Sequence, residues 1–493
     1  MTRALTYHVK FRGSALQSSA RNILMLFVSW ATALAPAQTR PPAPLPPGQI
    51  IESVACYNDP TQSYALYLPS AYTPGKPWPI IYAFDPLARG AVPVKLYKDL
   101  AEKYGYIVAG SNNSRNFSMD AASKGINAMW QDTHLRLTLD ERRVYATGFS
   151  GGARVAGMVA LSCPQCRIAG VIAYGAGYPM SQKPSPKDAL LYFLAVGDQD
   201  FNWAEITMLR REREDLGQPY REVVFSGPHR WGTPPVIAEA VEWIHLKAMQ
   251  AGTLRPDPAF IDEMFKKRQA EADQAVKQSD AIAQLSAYRS LASDFKGLKD
   301  VSEYEVKLAA LKKSAALKEA LKKEDETIAE QRTLTEDVSS KLAAVENAGS
   351  DERITLRRDL LDAMTQLRAQ AEHAKSGDRR LVLQRSFNDV WAQGIEAGQS
   401  QFANHRFERA EFYFRLMADV QTDEPWPSLL LAETHAAMGN RKQAIKDLRE
   451  AIKRGLKNPD AIEQDGNLEA LRPDPDFRKI VEELRAAARV GPN

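Results

Sequence analysis

The sequence predicts an α/β domain, a mostly parallel sheet flanked by helices, followed by an all-α region. Two observations carry this. Between Tyr64 and Met249 short apolar runs alternate with amphipathic stretches, the pattern of βα units around a parallel sheet. From Pro258 to Ala348 glycine and proline all but vanish in favour of Ala, Lys, Glu, Gln and Leu, which is helix-forming chemistry. A chain of 493 residues, 44% hydrophobic and 25% charged, can bury more than one core, so roughly two or three domains are expected.

In chain order, the first element is a leader. Arg21 precedes an apolar run, Ile23 to Ala35, closed by the small-residue pattern Ala35-Pro36-Ala37 before Gln38. This reads as a secretory signal peptide over residues 1–37. The run is short of the ~20 apolar residues that a membrane-crossing helix requires, so no permanent membrane span is expected and the chain is expected to be exported, periplasmic or secreted. A Pro-rich linker over 38–50 follows.

The runs read as strands are 64–68, 79–84, 106–110, 143–147, 168–174, 190–196 and 221–225, with helices at 94–104, 126–138, 152–161, 204–216 and 235–249. Continuously apolar runs such as Leu190-Leu191-Tyr192-Phe193-Leu194-Ala195-Val196 suit strands covered by helices on both faces. They assemble one domain over 51–251. Of three cysteines, Cys163 and Cys166 are spaced to close a small disulfide ring in an oxidising compartment. Too few ligands accompany them for zinc, and neither a metal nor a cofactor is expected. With 64 basic against 61 acidic residues, in no long block of either sign, nucleic acid is not a favoured partner.

Residues 252–386 form the first helical region, where Ile282, Leu285, Tyr288, Leu291, Phe295 and Leu298 recur at helical spacing. The stripe breaks strict heptads through Leu308 to Leu321, which predicts a packed helical hairpin rather than a long coiled coil. A second helical domain is expected over 387–493, and across about residues 388 to 460 the chain matches itself at a shift of 34. Gly398 then faces Ala432, Ala410 faces Ala444, Phe414 faces Leu448 and Met417 faces Ala451. Period and small/large order resemble tetratricopeptide repeats, each a helix-turn-helix, and a protein partner docking on them is a further expectation.

The strongest chemical signal is Gly148-Phe149-Ser150-Gly151-Gly152, between the strand ending at Thr147 and the helix near Gly152. A nucleophile on a tight strand-to-helix turn needs glycines on either side, because side chains there collide with strand and helix. Ser150 then requires a base, and the base a carboxylate to orient it. In the order serine, acid, histidine, the acid falls in Gly197-Asp198-Gln199-Asp200, where Asp198 and Asp200 both qualify and Asp200, further past the strand end, is preferred. The base falls in Ser226-Gly227-Pro228-His229-Arg230-Trp231, which offers one histidine, His229. Of the seven histidines, the others lie in the leader, the helical region or helices, and His245 reads as a packing or surface residue of an amphipathic helix. Two N–H donors must also meet the developing oxyanion. Gly151 supplies one. The loop Asp85-Pro86-Leu87 supplies the other, and since proline has no N–H Leu87 is the candidate.

Tyr64-Ala65-Leu66-Tyr67-Leu68-Pro69, the Pro-Ile-Ile strand, the GFSGG turn, the Gly-x-x-Asp loop and the His-x-Trp loop together resemble extracellular α/β-hydrolase esterases of the dienelactone hydrolase, polyhydroxybutyrate depolymerase and feruloyl esterase kinds. The resemblance spans about residues 60 to 250. It implies the α/β hydrolase fold, a serine esterase acting on small-molecule or polymer esters, Asp200 as the acid and Leu87 as the second donor. Asp85-Pro86 stands where such proteins commonly carry His-Gly. Two other readings compete: an interaction protein with a non-catalytic hydrolase scaffold, and a serine peptidase on the same fold.

Overall fold

The computed structural model describes residues 43–179, 185, 190–463 and 465–489; the expected leader lies outside them. Of two compact units, Met1–Leu45 and Pro46–Asn493, the second carries every element below. Eight strands make one sheet: β1 (Ile50–Ala55), β2 (Ser63–Tyr67), β3 (Trp78–Phe84), β4 (Ile107–Ser111), β5 (Leu139–Phe149), β6 (Ile168–Tyr174), β7 (Leu191–Gly197) and β8 (Tyr220–Phe225). Their order is β1-β2-β4-β3-β5-β6-β7-β8. β2 pairs antiparallel with β1 and β4, and the remaining pairs are parallel. The crossovers use α1 (Ala91–Tyr104), α2 (Met119–Arg136), α3 (Gly151–Ser162) and α4 (Trp203–Asp215), and α5 (Pro234–Gln250) follows β8. This is the α/β hydrolase fold. Because β3 and β5 to β8 run in one direction, the loops that follow them gather at one edge.

Where sequence periodicity is strong the elements fall as expected, and β3 is buried at every position. β1 was not anticipated. It is an edge strand whose pairing with β2 is irregular between Ile51 and Val54, so Glu52 and Ser53 break the alternation that marks a strand. β5 begins four residues before the expected Arg143, in a polar stretch where Asp140 accepts from Arg142 and Arg143 at 3.2 and 2.9 Å. α2 starts seven residues before 126 because its first turns carry little apolar signal. Cys163 and Cys166 are joined by a disulfide just after α3, and Cys56 is buried and free.

Beneath the nucleophile turn the core is built from tyrosines. The buried Tyr97 hydroxyl lies 2.9 Å from Thr147 Oγ1 and 3.0 Å from the Tyr174 hydroxyl, and Thr147 donates to Ile172 O at 3.0 Å. Each hydroxyl has a partner, which avoids the ~1–3 kcal/mol cost of an orphaned buried polar group. His245, on α5, sits among Tyr104, Tyr106 and Phe260, and burial with Arg143 nearby lowers its imidazole to about 4. It is a neutral packing residue.

After α5 the described chain is helical: α6 (Pro258–Lys277), α7 (Ala281–Asp294), α8 (Ser302–Lys313), α9 (Ala315–Asn347), α10 (Ser350–His373), α11 (Gly377–Ala403), α12 (Phe407–Val420), α13 (Trp426–Ala437), α14 (Arg441–Lys453), a short α15 (Asp460–Glu463) and α16 (Pro475–Arg489). Within the stretch where the stripe leaves strict heptads, the chain breaks at Ser314, whose side chain accepts from Leu317 N and caps α9. Phe295 and Leu298 lie beyond the end of α7. α11 packs on α12 and α13 on α14, and Ala410, Ala432, Phe414, Leu448, Met417 and Ala451 are all buried in these seams. A Cβ at Gly398 would stand 2.4 Å from the Phe414 ring, so close approach explains the small residue.

The helical region does not hang loose from the sheet. β8 is its last strand, and α7 packs on it. Buried Arg221 of β8 bonds Glu239 of α5 at 2.6 Å and Glu271 of α6 at 3.2 Å. Arg289 of α7 stacks 3.5 Å from the Tyr220 ring centroid and donates to the carbonyls of Tyr220 and Gln218 at 2.6 and 3.0 Å. Pairing and hydrogen bonding offset the cost of burying such charges.

Candidate active site

Ser150 occupies the turn between β5 and α3 with φ 53° and ψ −123°, a conformation costly for a residue with a side chain. Its N–H donates to Tyr174 O at 2.8 Å, which fixes the turn to β6. The glycines two positions away on either side are sterically required. A Cβ at Gly148 would lie 2.2 Å from the Gly152 carbonyl, and one at Gly152 would lie 2.1 Å from Phe84 O.

Asp200 and His229 are brought together by the loops after β7 and β8. Asp200 is fully buried. Its Oδ2 lies 2.8 Å from His229 Nδ1, and its Oδ1 accepts from Asn202 N at 2.9 Å. Asp198 is used otherwise: its Oδ1 accepts from Gly227 N at 2.9 Å, tying the two loops to each other. Of the two acids, Asp200 stands against the imidazole and Asp198 in the turn. His229 is sandwiched between Phe149, the residue before Ser150, and Phe201, the residue after Asp200, at centroid distances of 4.5 and 4.4 Å. Neither phenylalanine was singled out in the sequence, although each directly flanks a residue that was.

The loop after β3 is organised by a buried carboxylate. Asp85 is fully buried and accepts from Arg89 Nε at 2.9 Å, Trp231 Nε1 at 3.1 Å and Leu87 N at 3.0 Å. The Leu87 N–H expected to face an oxyanion is thus committed to Asp85 here, because the Asp85-Pro86 pair turns the loop back on its own side chain. Leu87 also bridges Arg115, and Asn116 N donates to Pro86 O at 2.9 Å. The Asn116 amide lies directly over Gly151, where a Cβ would stand 1.9 Å from its Oδ1.

Opposite these loops lies a wall from the helical region. Gln331 of α9 and Asn388 of α11 donate to the carbonyls of Phe201 and Gln199 at 3.0 and 3.2 Å. Arg385 of α11 stacks 3.9 Å from the Trp203 ring centroid, and burial lowers it to about 10 despite Asp198 and Asp378. Glu396, eight residues and hence about 12 Å along α11 from Asn388, is accessible to water, yet desolvation raises its carboxyl against the opposing pull of His229 and Arg154. Arg154 of α3 is itself paired with Glu205 at 2.7 and 2.8 Å. Among the described residues no group of three or more His, Cys, Asp or Glu side chains is placed to hold a metal ion, and no helix is long and apolar enough to cross a membrane.

Sheet order and crossovers define the class: a chain with an α/β hydrolase fold carrying a large helical extension. No family model and no curated protein matches it. Among solved structures it is similar to an S-formylglutathione hydrolase from Staphylococcus aureus at 16% identity, over 41% of this chain and 100% of that one, with a TM-score of 0.33. A second S-formylglutathione hydrolase, from Agrobacterium tumefaciens, shares 13% identity over 40% of this chain and 93% of its own, with a TM-score of 0.32. An esterase from Pyrobaculum calidifontis shares 12% over 41% and 86%, with a TM-score of 0.33.

Proposed function

We propose that the chain is a serine hydrolase that cleaves carboxylic esters through an acyl-enzyme. Ser150 Oγ attacks the ester carbonyl, and His229 takes its proton and returns it to the departing alcohol. Asp200, at Nδ1, fixes the tautomer that leaves Nε2 facing the nucleophile and stabilises the imidazolium as it forms. Water then attacks the acyl-serine with His229 again as base. Gly151 N–H is the first oxyanion donor. Leu87 N–H becomes the second if substrate draws it from Asp85, a contribution of about 2.7–4 kcal/mol per donor.

The observation that carries this reading is the 2.8 Å contact between His229 and a fully buried carboxylate, with the imidazole packed on Phe149, the residue before a serine held at φ 53°. A scaffold without chemistry has no need of a strained serine turn or of an imidazole oriented by a buried carboxylate. The test is hydrolysis of p-nitrophenyl acetate and butyrate together with labelling by a fluorophosphonate probe. Ser150→Ala is expected to lose both, with kcat down by about 10⁴-fold or more; labelling that survives in this variant rejects the assignment. We extend the proposal to an exported enzyme whose mature chain starts at Gln38. N-terminal sequencing of protein recovered from an exported fraction tests this, and recovery of uncleaved chain only from the cytosol opposes it.

A further inference from the structure

Asp200 lies in a loop that the sheet domain holds by its N–H and side-chain groups: Asp198 N donates to Phe225 O at 2.8 Å, Gln199 N to Gly227 O at 3.1 Å and Asn202 Nδ2 to Gly175 O at 2.6 Å. Within the loop, Asp200 N donates to Gly197 O at 3.1 Å and Trp203 N donates to Asp200 O at 3.0 Å. The carbonyls on either side of Asp200, those of Gln199 and Phe201, receive side-chain amides from elsewhere. Asn388 of α11 takes the first and Gln331 of α9 the second. Gln331 is buried at 3% exposure, and its own carbonyl accepts from Ser386 of α11 at 3.3 Å, so the two helices act on the loop together. α9 is anchored in turn by Glu324, which Arg210 of α4 meets at 2.6 Å and Arg211 at 2.8 Å. From Phe201 the contact continues to the imidazole, whose ring lies 4.4 Å away.

We infer that the helical region is a working part of the candidate catalytic site, with Gln331 and Asn388 as positioning residues that clamp the loop carrying Asp200 and so hold the Asp200–His229 pair in register with Ser150. The inference rests on the hydrolase reading above. The physical ground is tolerance: a catalytic constellation works only when its groups are held within about 0.5 Å of productive geometry. The bonds to Phe225, Gly227 and Gly175 leave the carbonyls of Gln199 and Phe201 to the two helices. Two amides reaching the peptide groups on both sides of one aspartate leave its side chain little room to swing. Both come from residues remote in the chain, 130 and 189 positions from the carbonyls they meet.

The experiment uses the full chain with Gln331→Leu, Asn388→Leu and the double substitution; Asn388→Ala, at a half-buried position, serves if Gln331→Leu does not fold. In the double variant kcat for p-nitrophenyl butyrate and the fluorophosphonate labelling rate are expected to fall together by about ten- to a hundredfold, while KM changes less than twofold. A second readout needs no turnover. The low-field proton resonance of an imidazole N–H bonded to a carboxylate, assigned to His229 with His229→Gln, is expected to broaden or move in the double variant. Unchanged kcat together with an unmoved resonance in folded protein overturns the positioning role. If the native chain does not label at Ser150 the hydrolase reading falls, and the resonance still decides whether the amides hold the pair.

Discussion

Gly175 shows how little space the candidate site leaves. With φ +63°, it is placed so that a Cβ would stand 3.0 Å from Asp200 Oδ2 and from His229 Nδ1 and Cε1. Gly175→Ala is therefore expected to push the acid and base apart, lowering kcat by about 10²-fold while the far-ultraviolet circular dichroism stays native. Full activity in this variant would mean that the pair tolerates displacement. Asp200→Asn keeps the shape but offers an amide where the imidazole needs a carboxylate, and a loss of about 10³–10⁴ in kcat is expected, read with the same ester. The acid and the base were already exposed in the sequence, as a lone histidine and an acidic loop at the two places a Gly-x-Ser-x-Gly turn demands, whereas Gly175 was not singled out there. Phe149 and Phe201 escaped because aromatic packing on a histidine leaves no spacing to read, only adjacency once the fold is known.

Among the elements, the loop after β3 departs furthest from expectation. Reading donors along the backbone made Leu87 a natural choice, but a carboxylate two residues earlier can fold back on the same N–H. No pattern reveals this, since Asp85 is held by Trp231 and Arg89 and one of these lies 146 positions away. Asp85→Ala would release Leu87 N–H and also leave Trp231 Nε1 without its acceptor. Melting is expected to show a loss of about 1–3 kcal/mol, with KM for p-nitrophenyl butyrate altered more than in Gly175→Ala; unchanged melting would mean that water replaces the carboxylate freely. The parallel strands were legible because continuously buried runs announce themselves, whereas β1 and the first turns of α2 were hidden by their exposure.

Taken as a whole, the molecule couples its two halves. The near-repeat of 34 residues pointed to packed helix pairs, but nothing in it revealed that α9 and α11 reach the acid loop, because those contacts use single polar side chains outside the repeating positions. At the far end, Glu433 of α13 is buried beside Asp465 and accepts from Asn467 Nδ2 at 2.8 Å. Desolvation, and secondarily Asp465, raise its carboxyl well above the ordinary 4.5. Folded protein thus keeps a proton that the unfolded chain releases, and the associated stability is complete below pH 4.5 and is lost as pH rises through the folded value. The C-terminal helices are expected to melt at lower temperature at pH 8 than at pH 5, and Glu433→Gln to flatten that slope; a variant with the parent's slope would place its origin elsewhere. The buried arginines over β8 have a consequence for anyone cutting the chain near residue 255. Stripped of its cover, that strand would offer a row of unpaired peptide groups to any neighbour able to add a strand. A trimmed sheet domain should elute from a sizing column as aggregates rather than as a small monomer, so the helices would count as its solubility tag as much as its companion.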